Sequence, residues 1–222
     1  RLFSWDNRLF LCGVRRDCYD DKGKGRMEMQ EIEYIDDEWK EVARFPIPAP
    51  GDDGTYCEKN WMPIVDMPWC FVKWCNPVEV CKFDPEEGTT TTIVLDEEKQ
   101  MSMPRDLRGG TQVYPIGDGN RMTITHEVDL NRDVFGRKDG HYNHRVIMWD
   151  EDWNLLHRTR DFHFLGTQVD PTTGLEYNIE FATGMTFLNG NIIIAFGYQD
   201  NGTFLLKMPE PVFFDFVARS GA

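Results

Sequence analysis

Basic charge is what this chain has least of: 24 Lys and Arg stand against 38 Asp and Glu, a net charge of −14. No basic stripe exists to follow a phosphate backbone, which argues against nucleic acid as a partner. No apolar run approaches the roughly 18 residues a membrane helix needs, so the expectation is a soluble chain without a membrane span. Metal-site spacing is missing as well. The six cysteines, at 12, 18, 57, 70, 75 and 81, form no Cys-x-x-Cys pair, and no His-x-x-x-His accompanies them. His141 and His144 lie three apart in a strand pattern, which sends them to opposite faces. No metal and no cofactor is therefore expected. A Gly-x-Ser-x-Gly elbow is also lacking. Gly109-Gly110 and Gly117-Asp-Gly119 precede no helix that would lend its N-terminus to a phosphate. No low-complexity tract or linker divides the chain, so residues 1–222 are read as one domain.

What is present is core material and strand signal. The 222 residues are 41% hydrophobic and 13% aromatic, with seven Trp and fifteen Phe, which excludes disorder as the main state. Cys12, Cys70, Cys75 and Cys81 fall inside apolar strand patterns, where a free thiol behaves as a small buried hydrophobe. Reduced thiols, and with them a cytoplasmic setting, are favoured over disulfides. Short runs such as Leu9–Val14, Cys70–Cys75, Met122–Thr125 and Ile192–Phe196 are bounded by turn residues. Trp5-Asp-Asn7, Asp66-Met-Pro68, Gly117-Asp-Gly-Asn120 and Leu188-Asn-Gly-Asn191 each match a tight hairpin.

These hairpins repeat. Their return strands start near Arg8, Trp69, Arg121 and Asn191, 61, 52 and 70 residues apart. The segment from Ile35 through Asp36-Asp37 and Trp39 to Arg44 resembles that from Trp149 through Trp153 to Arg158, and the two Trp are 114 residues apart, about two units. Repeats of this size with about four strands each are the signature of propeller blades. Ile32, Ile35, Trp39 and Val42 also fit helical spacing. A hairpin turning at Asp36-Asp37 is preferred, because the second copy keeps the turn and loses the helical spacing. The expected fold is all-β: a propeller, five-bladed when complete, with about four blades in this chain and no substantial helix. Arg1-Leu-Phe already reads as a strand entering a turn, so an N-terminal portion is expected to precede Arg1, and the chain to belong to a larger protein.

Propeller topology selects candidate site residues. Inner strands start at one face of a central channel, and each hairpin returns the second strand to that face. The positions chosen this way are Arg1, Arg15-Arg16-Asp17, Glu58-Lys59-Asn60-Trp61, Lys73-Trp74, Arg108, His126-Glu127, Tyr142, His144, Glu180 and Tyr198-Gln199-Asp200. Any one charged strand end is more often a solvated end than a catalyst; the set carries more weight than its members. Carboxylates in a funnel suit glycoside chemistry, in which one acid protonates the leaving oxygen and a second group attacks or activates water. Glu58, Glu127 and Glu180 are the catalytic candidates. Arg1, Lys59, Asn60, Trp61, Arg108, His126, Tyr142, His144 and Asp200 are the substrate-binding candidates. The cations among them suit phosphate or a sugar carboxylate, and the aromatics a sugar ring.

At these same positions the chain resembles known proteins. Arg1-Leu-Phe followed by Trp-Asp-Asn-Arg-Leu-Phe is similar to the segment after the acidic-Asp-Pro-Arg motif of five-bladed propeller glycosidases and mannoside phosphorylases. Glu58-Lys-Asn-Trp-Met-Pro63, Leu107-Arg-Gly-Gly-Thr111, His126-Glu127, Tyr142-Asn-His-Arg145 and Ile179-Glu-Phe-Ala-x-Gly184 with Phe196-Gly197 resemble a little-characterised group of propeller domains often linked to sugar-transfer proteins. The resemblance runs from about residue 1 to 208. It implies a carbohydrate-active scaffold that handles a carbohydrate or sugar phosphate. In the phosphorylase relatives the acidic motif before the Arg supplies the proton donor, and that stretch would precede Arg1. Glu58-Lys59 sits where the relatives place a Lys-containing motif that helps bind phosphate or substrate. Two functions stay open: an enzyme cleaving or transferring a glycosyl group, and a non-catalytic propeller presenting its funnel to a glycan or protein partner.

Overall fold

In the computed structural model, described here for residues 1–15, 24–51, 56–99, 107–132, 138–169, 171–172, 174, 176–177 and 179–221, strands dominate. Arg16, Asp17 and Cys18 of the sequence reading lie outside the described residues. The chain forms two compact units, Arg1–Met101 with Gln112–Pro115, and Ser102–Thr111 with Ile116–Ala222.

The first unit holds two four-stranded antiparallel sheets, each ordered as in the sequence. One comprises β1 (Leu2–Trp5), β2 (Arg8–Arg15), β3 (Arg26–Ile35) and β4 (Glu38–Ile47); the other comprises β5 (Met62–Pro63), β6 (Cys70–Cys75), β7 (Val78–Asp84) and β8 (Thr89–Leu95). This up-and-down order is that of a propeller blade. The Asp36-Asp37 hairpin is present, with both residues at positive φ (54° and 63°), the backbone a two-residue turn requires. Side chains alternate along β1 and β2, which puts Phe3, Trp5 and Phe10 together in a buried aromatic cluster with Phe71 and Phe83, against which Phe45 and Trp69 pack. The Trp5 indole N–H donates to the Ile64 carbonyl at 2.8 Å, so the ring is buried without orphaning its polar atom. Cys12, Cys70, Cys75 and Cys81 are buried free thiols, and burial pushes Cys75 and Cys81 up to about 12. They pack as hydrophobes.

The second unit contains β9 (Leu107–Arg108), β11 (Asn120–Arg132), β12 (Lys138–Trp149) and β13 (Leu155–Arg158); β10 (Tyr114–Gly117) pairs with β11 on the side away from β12. It also contains a small hairpin of β14 (Gln168–Val169) and β15 (Glu176–Tyr177), and a three-stranded sheet of β16 (Glu180–Leu188), β17 (Asn191–Tyr198) and β18 (Gly202–Pro209). The return strands of the four leading hairpins begin at Arg8, Cys70, Asn120 and Asn191. Two differences from the sequence reading stand out. First, β11 and β12 pair from Arg121↔Trp149 to Arg132↔Lys138, so Tyr142 and His144 lie inside a strand and not at its start. The polar run after Val128 offers no apolar alternation from which that extension could be read. Second, a ten-residue helix, α1 (Glu210–Arg219), follows β18. Phe213 and Val217, four apart, are its buried face, and the Glu210 N–H donates to Gly190 O at 3.0 Å, tying its start to the β16–β17 turn. Among the described residues no helix is long and apolar enough to cross a membrane.

Replacing Trp5 by Ala removes a fully buried ring and leaves the Ile64 carbonyl without its donor. Urea unfolding should show a loss of about 3–5 kcal/mol.

Candidate functional site

Register across β9, β11 and β12 sorts the second unit's candidates onto two faces. Arg108 pairs with His126, and His126 with His144, so these three lie side by side on one face. Tyr142, two residues before His144, shares that face, and its ring stacks on His126 with centroids 5.6 Å apart and planes 6° apart. Phe181 meets His126 edge-on at 4.8 Å. Asp200, in the turn after β17, is close enough to Tyr142 to act on it. Burial raises the Tyr142 phenol most, Asp200 raises it further, and Arg108 opposes both. At neutral pH the phenol therefore keeps its proton and is a donor. Arg108, His126 and Tyr142 thus share one face of β9, β11 and β12, with Asp200 near the Tyr142 phenol.

Glu127 points the other way. It shares its face with Arg145, whose guanidinium Nε donates to Glu127 Oε1 while one Nη donates to Thr159 O at 2.9 Å. Asp161 lies 3.8 Å from the other Nη. Glu127 is 0% exposed, and its second oxygen has no hydrogen-bond partner. Arg145 did not figure among the site candidates of the sequence. Once the Asn120 and Trp149 ends of the hairpin are aligned, register places it diagonal to Glu127, and that alignment was the available signal.

His144, on the first face, meets Glu180. Glu180, 0% exposed, accepts the main-chain N–H groups of Phe164, Leu165 and Gly166 at 2.7, 2.8 and 2.9 Å, so its carboxylate organises that turn. His144 Nδ1 stands 4.0 Å from Glu180 Oε2, and its Nε2 accepts the Ala182 N–H at 3.3 Å. Burial, then the nearby His163, push His144 down to about 3, against the Phe162 main chain, which raises it. The imidazole is neutral, with its proton on Nδ1. The turn at 164–166 carries no local sequence signal linking it to residue 180.

The Arg-Gly-Gly-Thr segment holds β9 against β11. A Cβ on Gly110 would stand 2.2 Å from Ile124 O, so only glycine fits. The Thr111 hydroxyl accepts the Ile124 N–H at 3.0 Å and lies 3.1 Å from the Thr123 hydroxyl.

In the first unit the candidates also gather at strand ends. Glu58 N–H donates to Gly25 O at 2.9 Å, beside the start of β3, and Glu58 Oε2 accepts the Trp61 indole N–H at 2.9 Å. Trp61 is fully buried, with Phe71 6.1 Å and the Lys73 ammonium 5.9 Å from its ring, so it holds Glu58 and turns no ring face to solvent. Lys59 is exposed; Asn60 is half-buried, with φ 65°. Arg1 extends the β1–β2 ladder through Cys12 N–H to Arg1 O at 2.9 Å. Its guanidinium lies beside Cys12 and Cys75, with burial pulling its pKa down. Glu58, Lys59, Asn60, Trp61 and Arg1 thus belong to the first unit, and Arg108, His126, Glu127, Tyr142, His144, Glu180 and Asp200 to the second. Among the described residues no cluster of His, Cys, Asp and Glu is arranged to hold a metal ion.

No family model and no curated protein matches the chain. Solved structures do match. A glycosyl hydrolase from Bacteroides ovatus superposes with a TM-score of 0.61 at 13% identity, over 95% of this chain and 64% of that one. β-1,2-Mannobiose phosphorylase from Listeria innocua, in complex with β-1,2-mannobiose, gives 0.59 at 9% identity over 99% and 60%. MPT-4, a mannose phosphorylase from Leishmania mexicana in complex with phosphate ion, gives 0.54 at 13% over 96% and 67%. The chain spans about two thirds of the length of these proteins. The fold is a β-propeller, and four of its blades are formed here.

Two outcomes follow. Gly110→Ala should be strongly destabilising, because backbone must move to admit one methyl; a melting temperature within error of the parent would contradict this. His144, held neutral while its unfolded counterpart titrates near 6.5, makes the unfolded state bind the extra proton between about pH 6.5 and 3. Folding stability is therefore whole above pH 6.5 and falls by about 1.4 kcal/mol per unit below it. His144→Gln should lessen that acid slope in denaturant titrations at pH 4–7.

Proposed function

We propose that this chain is the greater part of a five-bladed propeller that acts on a glycosidic bond of a carbohydrate or sugar phosphate, and that its two units belong to one domain. The observation that carries the reading is the group of Arg108, His126, Tyr142 and Asp200: a cation, a stacked aromatic pair, a protonated phenol and a carboxylate brought together within one unit. This is the donor, acceptor and ring-face chemistry that hydroxyl-rich rings require. The propeller neighbours, named as a glycosyl hydrolase and mannose or mannobiose phosphorylases, support it.

Glu58 is the acid–base carboxylate in this proposal. It is buried and fixed by the Trp61 N–H, a placement that suits proton donation to a leaving oxygen. Glu127 and Glu180 are assigned to positioning. Glu127 is committed to Arg145 and Glu180 to three main-chain donors, so protonating either would break contacts that hold the site's walls. Lys59 in the first unit and Arg108 in the second are cations of the kind that suits a phosphate or an acidic sugar; Arg1 and Asn60 are binding candidates of the first unit, and His144 of the second. The commitment of two of three candidate carboxylates also favours a second reading, in which the propeller binds a glycan without turning it over.

Glu58→Gln keeps shape and removes the proton. A drop of about 10²–10⁴-fold in kcat at nearly unchanged KM is expected, measured as sugar release from mannose-containing disaccharides with and without phosphate. Glu180→Gln should instead lower stability by about 1–3 kcal/mol, since an amide cannot accept all three N–H groups with both ends. Equal activity of Glu58→Gln and parent would remove Glu58 from the chemistry.

A further inference from the structure

The second blade carries a cavity away from the candidate residues above. A depression of about 430 Å³ opens at the β7–β8 hairpin, lined by Trp69, Lys82, Asp84, Glu86, Thr89 and Thr91, with Phe83 and Pro85. Register makes it a built surface. Lys82 pairs with Thr91 and Asp84 with Thr89, so one face of the hairpin presents an ammonium, a carboxylate and two hydroxyls, all exposed, and the intervening Phe83 is buried. Asp84 Oδ1 accepts the Glu86 and Glu87 N–H groups at 2.9 and 3.1 Å, which fixes the hairpin end and leaves Asp84 Oδ2 outside those bonds. The floor is the half-buried indole of Trp69.

Trp69 is unusual for its position. The residue just before the return strand of the four leading hairpins is Asn7, Trp69, Gly119 or Gly190, with φ of 61°, 66°, 75° and 70°. Glycine and asparagine tolerate that backbone, whereas a tryptophan is strained in it. Trp153 shares the conformation at φ 63°, but its ring is 4% exposed and fills the core. Trp69 packs on Trp5, Phe10, Phe45 and Phe83 at 5.8, 5.8, 5.4 and 6.2 Å, with the Arg8 guanidinium 5.6 Å from its ring, and stays half-buried where it lines the depression.

We propose that this depression is a second saccharide-binding site, which takes one or two neutral pyranose units. The indole supplies the flat apolar surface on which the C–H face of a sugar ring packs, and Lys82, Asp84, Thr89 and Thr91 supply donors and acceptors to its hydroxyls. The volume falls within the range of small-ligand sites. With Asp84 and Glu86 against Lys82, the rim carries net negative charge, which selects against phosphorylated or acidic sugars. The site binds and does not react. It does not rest on the function proposed above, since a glycan-binding module and an enzyme would use it equally.

The test is saturation-transfer NMR on the whole protein with mannobiose, cellobiose and lactose as probes, run in parent, Glu58→Gln and a Lys82→Met/Thr91→Val double variant. Both substitutions of the double variant are at exposed positions, so its melting temperature should match the parent. Expected is binding of at least one disaccharide that survives Glu58→Gln and weakens by at least 10-fold in the double variant. Trp69→Gly, whose backbone suits the turn, should abolish it. No saccharide bound by the parent, or equal binding by parent and double variant, would overturn the site. Unchanged catalysis in Glu58→Gln, with this binding intact, would count against Glu58 alone and leave this site standing.

Discussion

The pairing of β11 with β12 is the constraint on which the second unit's candidate chemistry depends. Twelve consecutive cross-strand pairs decide that Arg108, His126, Tyr142 and His144 share one face and that Glu127 and Arg145 share the other. A slip of one residue would exchange the two sets. It would bury an arginine where an imidazole now stacks on a phenol, and would break a buried ion pair whose loss costs several kcal/mol. Register is therefore held from several sides: by the close approach at Gly110, by the hydroxyls of Thr111 and Thr123, and by Thr159, whose hydroxyl accepts the Val146 N–H at 3.0 Å.

The three carboxylates show how burial sorts groups that look alike in a sequence. Glu58, Glu127 and Glu180 are all buried. Their known partners differ: the Trp61 indole N–H donates to Glu58, the Arg145 guanidinium to Glu127, and three main-chain amides to Glu180. A carboxylate that holds fixed donors ties together the elements that carry them, which suits a strut. Neutral His144 fits the same logic, since its ring accepts one main-chain N–H and faces Glu180 without a formal charge.

Much of the fold was legible because hairpins write themselves into sequence. Asp6-Asn7, Asp36-Asp37, Asp118-Gly119 and Asn189-Gly190 are residues that accept positive φ, and the structure uses each as a turn. Apolar alternation then fixed strands such as Ile192–Phe196. Less legible were features without a local signature. The polar continuation of β11 and β12 has no apolar period, and α1 was missed because its buried stripe amounts to Phe213 and Val217. The partners of Glu127 and Glu180 lie 18 and 14 to 16 residues away, and only tertiary register brings them together. Trp61 read as a sugar platform because aromatics beside carboxylates suit that role, yet its N–H had an inward use.

The central claim is that this propeller acts on glycosidic bonds. It is tested most directly by product analysis after incubating the whole protein with a panel of mannose-, glucose- and galactose-containing oligosaccharides, with and without inorganic phosphate. The account predicts release of a free sugar or a sugar 1-phosphate from at least one of them, with loss of that product in Glu58→Gln. Saturable binding of oligosaccharides with no product under any condition would contradict it and would leave the propeller a glycan-binding module.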